Sequence, residues 1–230
     1  MSENPDQSLL FVVVPAYNEA PTIRKVVEGL LAQQYAVVIV DDGSAKTLSD
    51  NLVGLPVHYL RHRINLGQGA ALQTGIEYAL SKGAHYIATF DADAQHKTSD
   101  IEKMLAVMKE KNVDVVLGSR FLLPSRQIPF TRKLLLQLAR FLNFLFTGLY
   151  LTDAHNGLRL LNRKAAETIV LKENRMAHAT EILDQINTHR LNYCEVPVQI
   201  SYSAYSLQKG QTTWSGFRIL IDLLLAKIFR

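Results

Sequence analysis

The sequence predicts an α/β domain, a mostly parallel central sheet with helices on both faces. Three observations carry that expectation. Short β-branched runs alternate with stripes of helical period through the first half of the chain. The runs are apolar almost throughout, as are strands covered on both faces. Polar clusters then fall directly after the runs, at Tyr17-Asn18-Glu19, Asp41-Asp42-Gly43, Asp91-Ala92-Asp93 and Ser119-Arg120. Open α/β sheets bind ligands at the carboxyl ends of their strands, so four separate segments converge on one expected site.

Leu9 to Val14 reads as the first strand, stopped by Pro15. Pro21 can open a helix in which Ile23, Val26, Val27, Leu30 and Leu31 form one apolar face. Ala36 to Val40 is the second strand and Val57 to Leu60 a short third. Leu72, Ile76, Ala79 and Leu80 mark a helix that opens near Gly67-Gln68-Gly69. His85 to Phe90 is a strand ending at Asp91. Ile101, Met104, Leu105 and Met108 stripe a further helix, with Ser99 or Asp100 as its cap. Val113 to Leu117 is the last strand of the alternation.

The second half differs. Leu134 to Leu151 is apolar over about the length of a membrane span. Gln137, Arg140, Asn143 and Thr147 nevertheless recur along one helical face, which favours an amphipathic helix or helix pair. Phe217 to Arg230 has a broad apolar face, with Arg218, Asp222, Lys227 and Arg230 over the other half, and reads as an amphipathic carboxyl-terminal helix. No internal repeat or low-complexity segment is evident.

The 230 residues are 48% hydrophobic and 20% charged, enough for a packed core and unlike a disordered tail. Lys and Arg outnumber Asp and Glu by 25 to 21, a formal charge of +4. That suits an anionic substrate, a nucleotide or an anionic membrane surface and selects none of them. No clustered run of Lys and Arg appears, so no nucleic-acid partner is expected. A single cysteine, Cys194, excludes an intramolecular disulfide and a Cys-rich zinc site, and a reducing cytosol is the expected compartment. The polar start MSENPDQS lacks the basic region of a secretory signal.

Asp91 and Asp93 are two carboxylates one residue apart at a strand end. Hard oxygen ligands of this kind can share Mg2+ or Mn2+, which would neutralise charge developing on a leaving group. An isolated Asp-x-Asp is as readily a solvated turn; Asp41-Asp42 at a neighbouring strand end favours the cation. Asp42 can accept hydrogen bonds from a base or ribose, or close an ordinary Asp-Gly turn with Gly43. Arg120 offers a planar donor fork for phosphate, or an ion pair. Gly67-Gln68-Gly69 lacks the full dinucleotide fingerprint. Asp153-Ala154-His155-Asn156-Gly157-Leu158-Arg159 is a polar cluster in which Asp153 could be a general base and His155 more often makes a structural hydrogen bond. Glu181 reaches the cleft or solvates a helix face, Lys209-Gly210 closes over phosphate or is a solvated loop, and Cys194 is a small buried residue.

The segments VVVPAYNEAPTI, VVIVDDGS, NLGQGAALQTGIEYA, ATFDADAQH, VVLGSRF, TDAHNGLRLLNR and CEVPVQISY follow one another in order. Together they resemble family 2 glycosyltransferases with the GT-A fold, in particular dolichyl- and polyprenyl-phosphate mannose and glucose synthases. The resemblance covers Leu10 to Tyr202. It implies one domain, with residues 10–120 binding the nucleotide sugar, 121–212 binding the acceptor and 213–230 forming the terminal helix. Pro15, Tyr17 and Glu19 would hold the nucleoside, with Val40 and Asp42 at the base and ribose. Ala92 and Asp93 would lie against the diphosphate. Asp93 and Gln95 would ligate Mg2+ or Mn2+, with Asp91 beside them. Arg120 and Lys209 would contact phosphate. Ser203 stands where that family has an arginine, and Tyr205-Ser206-x-x-Lys209-Gly210 resembles instead family 2 enzymes of bacterial surface-polysaccharide assembly.

The implied activity is an inverting, metal-dependent transfer from a GDP-, UDP- or dTDP-linked sugar. The acceptor would be a polyprenyl phosphate, ionised already, or a prenyl-linked glycan, whose hydroxyl would need Asp153 as base. The two apolar segments, flanked by Arg132, Lys133, Lys227 and Arg230, would then seat the chain on the inner face of the cell membrane, with a small membrane protein as a further partner. Three rivals are weighed against this. A nucleotidyltransferase would need a Gly- and Arg/Lys-rich loop where Pro15 to Glu19 stand. An oxidoreductase would need the glycine fingerprint after the first strand. A non-catalytic binding protein of the same fold should have broken the acidic pair, yet Asp91 and Asp93 are both present.

Overall fold

The computed structural model describes residues 9–122, 140–141, 143–145, 147–173 and 177–201. Its elements are β1 (Leu10–Ala16), α1 (Ile23–Leu31), β2 (Ala36–Asp41), a 3-10 turn (Ser49–Leu52), β3 (His58–Arg61), α2 (Gln68–Ser81), β4 (Tyr86–Thr89), α3 (Ser99–Lys111), β5 (Val115–Ser119), β6 (Arg159–Asn162), α4 (Arg163–Thr168), α5 (His178–Thr188) and β7 (Tyr193–Pro197). The seven strands form one sheet in the order β3-β2-β1-β4-β6-β5-β7. Four of the six pairings are parallel. β6 runs antiparallel to both of its neighbours. The expected mostly parallel sheet is therefore present, with one reversed strand supplied by the second half of the chain. β6 and β7 were not foreseen. A four-residue run such as Arg159-Leu160-Leu161-Asn162 carries too little periodicity to distinguish strand from helix.

Side chains alternate across β1 and β2 with the strand period. Leu10, Val12, Val14, Val37 and Ile39 face α1 and α3. Phe11, Val13, Val38 and Val40 face α2, α4 and α5. Helices on both faces explain why these strands are apolar at every position. The α1 stripe buries Ile23, Val26, Val27 and Leu30 as its period requires, while Leu31 is half-buried. On the opposite face α2 lies very close to the sheet. A Cβ on Gly75 would stand 2.3 Å from Val13 Cγ1 and 3.2 Å from Val40 Cγ2.

Two expected boundaries change for a physical reason. β1 does not stop at Pro15 but continues to Ala16, paired with β2. Val13 O accepts from Phe90 N on the β4 side, and Val13↔Thr89 is the last β1–β4 pair. Residues two apart face the same neighbour, so the N–H that proline lacks falls where that ladder has already ended. α3 starts after Thr98, not at a Ser99 or Asp100 cap. Asp100 is instead buried, accepting from Lys103 Nζ at 2.7 Å and Gln199 N at 3.0 Å. The helix ends are matched to its dipole, with Asp100 and Glu102 in the first turn and Lys109 and Lys111 in the last.

The second half joins the sheet through Asp114. Its carboxylate accepts from Asn162 Nδ2 at 3.0 Å, Lys164 Nζ at 2.9 Å and Asn192 N at 3.0 Å, tying β5 to the ends of β6 and β7. Burial alone would raise this carboxyl, but those three donors outweigh it and hold it below the usual range.

In the segment after the described gap, Arg140, Phe141, Asn143 to Leu145 and Thr147 are helical. The polar face foreseen there is present but inverted. Asn143 and Thr147 are buried, with Asn143 Nδ2 donating to Leu149 O at 3.2 Å and Thr147 Oγ1 to Asn143 O at 2.9 Å. The outward side chains are Phe141, Phe144, Leu145 and Tyr150, which are 52%, 42%, 56% and 61% exposed. The rest of Leu134 to Leu151, the helix expected over Phe217 to Arg230, and Arg132, Lys133, Lys227 and Arg230 lie outside the described residues. Among the described residues, no helix is long and apolar enough to cross a membrane.

Two outcomes test these contacts. Gly75→Ala should lower stability by about 1–3 kcal/mol in urea unfolding, because overpacking against Val13 outweighs the gain in helix propensity. Asp114→Asn should cost about 1–3 kcal/mol at neutral pH, since the three donors lose the buried charge they bond to. A depressed carboxyl stabilises the fold above its unfolded pKa and loses that contribution as pH falls through its folded pKa. The gap between Asp114→Asn and the parent should therefore close in acid, below the usual carboxylate range.

Candidate active site

The strand order departs in both directions from β1 and β4, with β2 and β3 on one side and β6, β5 and β7 on the other. That is the switch point at which open α/β sheets leave a crevice. Two consecutive carboxylates shape its first wall. Asp41 is fully buried and accepts from Ser44 N at 2.9 Å, Leu48 N at 3.2 Å and Tyr59 Oη at 2.6 Å. Burial would raise its carboxyl, but the donors from Ser44, Tyr59 and Leu48 hold it low. Ser44 Oγ in turn accepts from Asn18 N at 2.9 Å, and Asn18 Oδ1 accepts from Ala45 N at 3.0 Å, which joins the loops after β1 and β2.

Asp42 acts in the other direction. One oxygen accepts from Leu66 N at 2.9 Å and lies 2.8 Å from His62 Nδ1; the other accepts from Gly67 N at 2.7 Å. The stretch from His62 to the start of α2 is thereby folded against the end of β2. Gly43 completes the turn between them at φ +71°. The glycines at 67 and 69, weak as a motif, thus open a helix beside the crevice.

The crevice has a volume of about 440 Å³. Pro15, Tyr17, Glu19 and Asp42 from the loops after β1 and β2 line it, together with Asp91, Ala92 and Asp93 from the loop after β4. Asn65, Gly67 and Gln68 line it as well, as do Gly157, Arg159 and His178 from the second half of the chain. Seven residues singled out from the sequence therefore share one cavity. Val40 does not. It is fully buried, its side chain against α2 beneath Gly75, because its place in β2 points it into the core. Gln95 is not part of the lining; its backbone N donates to Asp93 Oδ1 at 3.0 Å, and its carbonyl accepts from Ser201 N at 2.8 Å. Lys209 and Ser203 lie outside the described residues.

Arg120 and Asp153 form a bidentate pair, Nε to Oδ2 at 2.7 Å and Nη2 to Oδ1 at 2.8 Å, and Arg120 N adds a third bond to Oδ2 at 3.0 Å. Asp153 is buried. Burial would raise its carboxyl, but Arg120 outweighs it and keeps Asp153 ionised well below the usual range. Such a group is a weak base, and neither member lines the crevice. Glu195 on β7 holds the turn in place, accepting from Thr152 N at 2.9 Å and Thr152 Oγ1 at 2.7 Å. Glu181 accepts from Lys172 N at 3.0 Å and Glu173 N at 2.9 Å, capping a loop rather than entering the cavity. His155 stands exposed at the cavity lip. Cys194 is half-buried, and burial pushes its thiol up.

The crevice carries opposed charge. Asp91 accepts from Gln68 Nε2 at 3.1 Å and lies 3.4 Å from His96 Nε2. Burial would raise its carboxyl, but His96, His178 and Arg159 outweigh it and hold Asp91 ionised. Asp93 moves the other way: burial first, then the charges of Asp91 and Glu19, push its carboxyl up. A carboxylate destabilised by two like charges and open to a cavity suits a divalent cation. Among the described residues no three His, Cys, Asp or Glu are grouped to hold a metal ion on their own. Asp93 could hold a divalent cation only together with oxygens supplied from outside this group of side chains. Gly157 packs directly over Asp91, where a Cβ would stand 2.1 Å from Oδ2.

Three lining residues, Asn65, Gln68 and His178, were given no role from the sequence, and Arg159 was read only as the end of the polar cluster from Asp153. Asn65 and Gln68 sit in the stretch read only for its glycines. Arg159 lies between Leu158 and Leu160, and a charge inside an apolar run was the signal. His178 begins α5 without any local motif to mark it.

Residues 11–170 match the family described as glycosyl transferase family 2. A UDP-N-acetylglucosamine–dolichyl-phosphate N-acetylglucosaminyltransferase from Methanococcus voltae is 32% identical over 96% of this chain and 96% of its own length. A polyprenol monophosphomannose synthase from Mycolicibacterium smegmatis is 28% identical over 70% of this chain and 64% of its own. Among solved structures, glucosyl-3-phosphoglycerate synthase from Mycobacterium tuberculosis, in complex with Mn2+, UDP and glucosyl-3-phosphoglycerate, is similar in fold with a TM-score of 0.67, at 15% identity over 95% of this chain and 79% of that one. The family match spans the strands and loops that build the crevice, and the chain accordingly belongs to glycosyl transferase family 2 and is a glycosyltransferase of the GT-A fold.

Proposed function

We propose that this glycosyltransferase moves a sugar from a nucleotide-diphosphate sugar to a polyprenyl-type lipid phosphate, with inversion at the anomeric carbon. The observation that carries the reading is that Asp93, in the field of Asp91 and Glu19, lines the same crevice as Pro15, Tyr17 and Asp42. The nucleoside lies at the Pro15–Asp42 end, and the diphosphate runs over Ala92 and Asp93 toward Arg159. Relatives named for dolichyl and polyprenol phosphate acceptors support the acceptor class.

An acceptor phosphate oxygen attacks the anomeric carbon from the face opposite the leaving group. The bond from that carbon to the diphosphate oxygen breaks, and the nucleoside diphosphate departs with the electron pair. An ionised phosphate needs no base. The state of Asp153, buried, paired with Arg120 and poorly basic, agrees with that acceptor better than with a sugar hydroxyl. Asp93, with Gln95 and Asp91 beside it, would hold Mg2+ or Mn2+, whose charge would offset that developing on the diphosphate. Arg120 orients Asp153 and the turn at 152–153 in this structure; contact of Arg120 or Lys209 with phosphate belongs to the same proposal.

The lipid acceptor places the enzyme at a membrane surface, on the cytoplasmic side where nucleotide sugars are found. The inverted helix supports this: Phe141, Phe144, Leu145 and Tyr150 point outward, while Asn143 and Thr147 are satisfied inside. Apolar side chains turned out of a packed domain fit the acyl boundary of a lipid leaflet. A small membrane protein could share that surface.

Acceptor-dependent release of nucleoside diphosphate, with a prenyl phosphate as acceptor, tests the reading. Asp93→Asn should reduce that release on the order of a hundredfold or more while leaving the melting temperature near that of the parent. Undiminished release would remove the assignment of Asp93. Phe141→Glu combined with Leu145→Glu should weaken sedimentation with phosphatidylglycerol vesicles by at least about tenfold without lowering stability, because both side chains are exposed. Equal binding by parent and variant would remove this helix from the membrane contact.

A further inference from the structure

We propose that Arg159 is an anion-binding residue of the crevice, its Nη1 edge taking a phosphate oxygen of the donor diphosphate or of the acceptor. The inference rests on the transferase reading above and assigns a residue that neither the acidic motif nor the carboxyl-edge loops supply.

Arg159 opens β6 and is 4% exposed, yet it lines the crevice. A guanidinium has five N–H donors. Nε donates to Asn156 O at 3.2 Å, and Nη2 donates to Ala154 O at 3.3 Å and Ala179 O at 3.4 Å. The two donors of Nη1 have no partner among the described residues, Nη1 is not fully enclosed, and Arg159 lines the crevice.

A buried cation is normally paired, because burying a charge without a counter-charge is costly. Here the nearby carboxylates are committed elsewhere. Asp153 spends both oxygens on Arg120, and Asp91 spends its own on Gln68 and His96. Among the described residues neither forms an ion pair with Arg159, although both favour its charged form from a distance. Burial draws the guanidinium pKa down to about 10. The three carbonyls hold the fork in one orientation, from the 154–156 turn on one side and the first turn of α5 on the other. A fixed, partly unsatisfied cation near Asp91, in the crevice that Asp93 also lines, is preorganised for an anion that arrives with the substrate.

The test compares the parent with Arg159→Gln and Arg159→Lys by calorimetric titration with two probes, inorganic pyrophosphate plus Mn2+ and farnesyl phosphate. The parent should bind both. Arg159→Gln should weaken at least one probe tenfold or more, and Arg159→Lys should restore part of the loss. Loss confined to pyrophosphate assigns the donor diphosphate; loss confined to farnesyl phosphate assigns the acceptor. Unchanged affinity of Arg159→Gln for both probes overturns the inference while leaving the transferase reading intact. A parent that binds neither probe overturns that reading and this inference with it. Should the Gln variant fail to fold, the Nε–H resonance of Arg159 in 15N-labelled parent protein decides: it should shift as a probe saturates, and a resonance unmoved by both saturating probes overturns the inference.

Discussion

The crevice hangs on two adjacent carboxylates. Asp41 and Asp42 leave the end of β2 in opposite directions, because successive residues of a strand alternate. Asp41 gathers the amides of Ser44 and Leu48 and the Tyr59 hydroxyl; Asp42 gathers the amides of Leu66 and Gly67 and the His62 ring. Each charge-assisted bond is stronger than a neutral one, and buried amides left without acceptors are costly. The loop after β2 and the approach to α2 therefore have one low-energy arrangement each. Asn18 then ties the loop after β1 to the first of them. This part of the crevice is held in shape by the protein's own hydrogen bonds.

Further lining residues come from the second half of the chain, which is inserted into the same sheet. β6 runs antiparallel between β4 and β5, so its amino-terminal residue, Arg159, stands at the carboxyl end of β4. That reversal delivers a guanidinium to the edge where Asp91 and Asp93 emerge. Gly157 lets the incoming turn pass directly over Asp91. The crevice thus carries opposed charges: Asp93 pushed up by its acidic neighbours, Asp91 held ionised by its basic ones, and Arg159 gripped by carbonyls. A diphosphate with a divalent cation has the complementary pattern.

Much of this was legible from local signals. The β-branched runs gave β1, β2 and β4, and the α1 stripe gave its buried face except at Leu31, which is half-buried. The acidic clusters were legible because several of them follow neighbouring strands at the one sheet edge where open α/β sheets bind ligands. What was not legible depends on tertiary neighbours. Pro15 stays in β1 because β4 has ended beside it. Asp100 is buried rather than capping because Gln199, far away in sequence, reaches it. Asn143 and Thr147 gave the correct polar face with the opposite direction, since periodicity shows that two faces differ and not which one meets the core. Val40 was aligned to the ligand by its neighbours in sequence, but its strand position turns it into the core. Asp153 and Arg120 each read as available groups, and only the fold shows that they bind each other.

The central claim is that a nucleoside diphosphate and a divalent cation occupy this crevice together. Thermal unfolding of the purified protein against UDP, GDP and dTDP, with Mn2+ or with chelator, tests it most directly, because a ligand that binds only the folded state raises the melting temperature. The account requires at least one nucleotide to raise it by several degrees with Mn2+ and that rise to vanish with chelator. A well-folded protein whose melting temperature is unmoved by all three, with or without Mn2+, would contradict it.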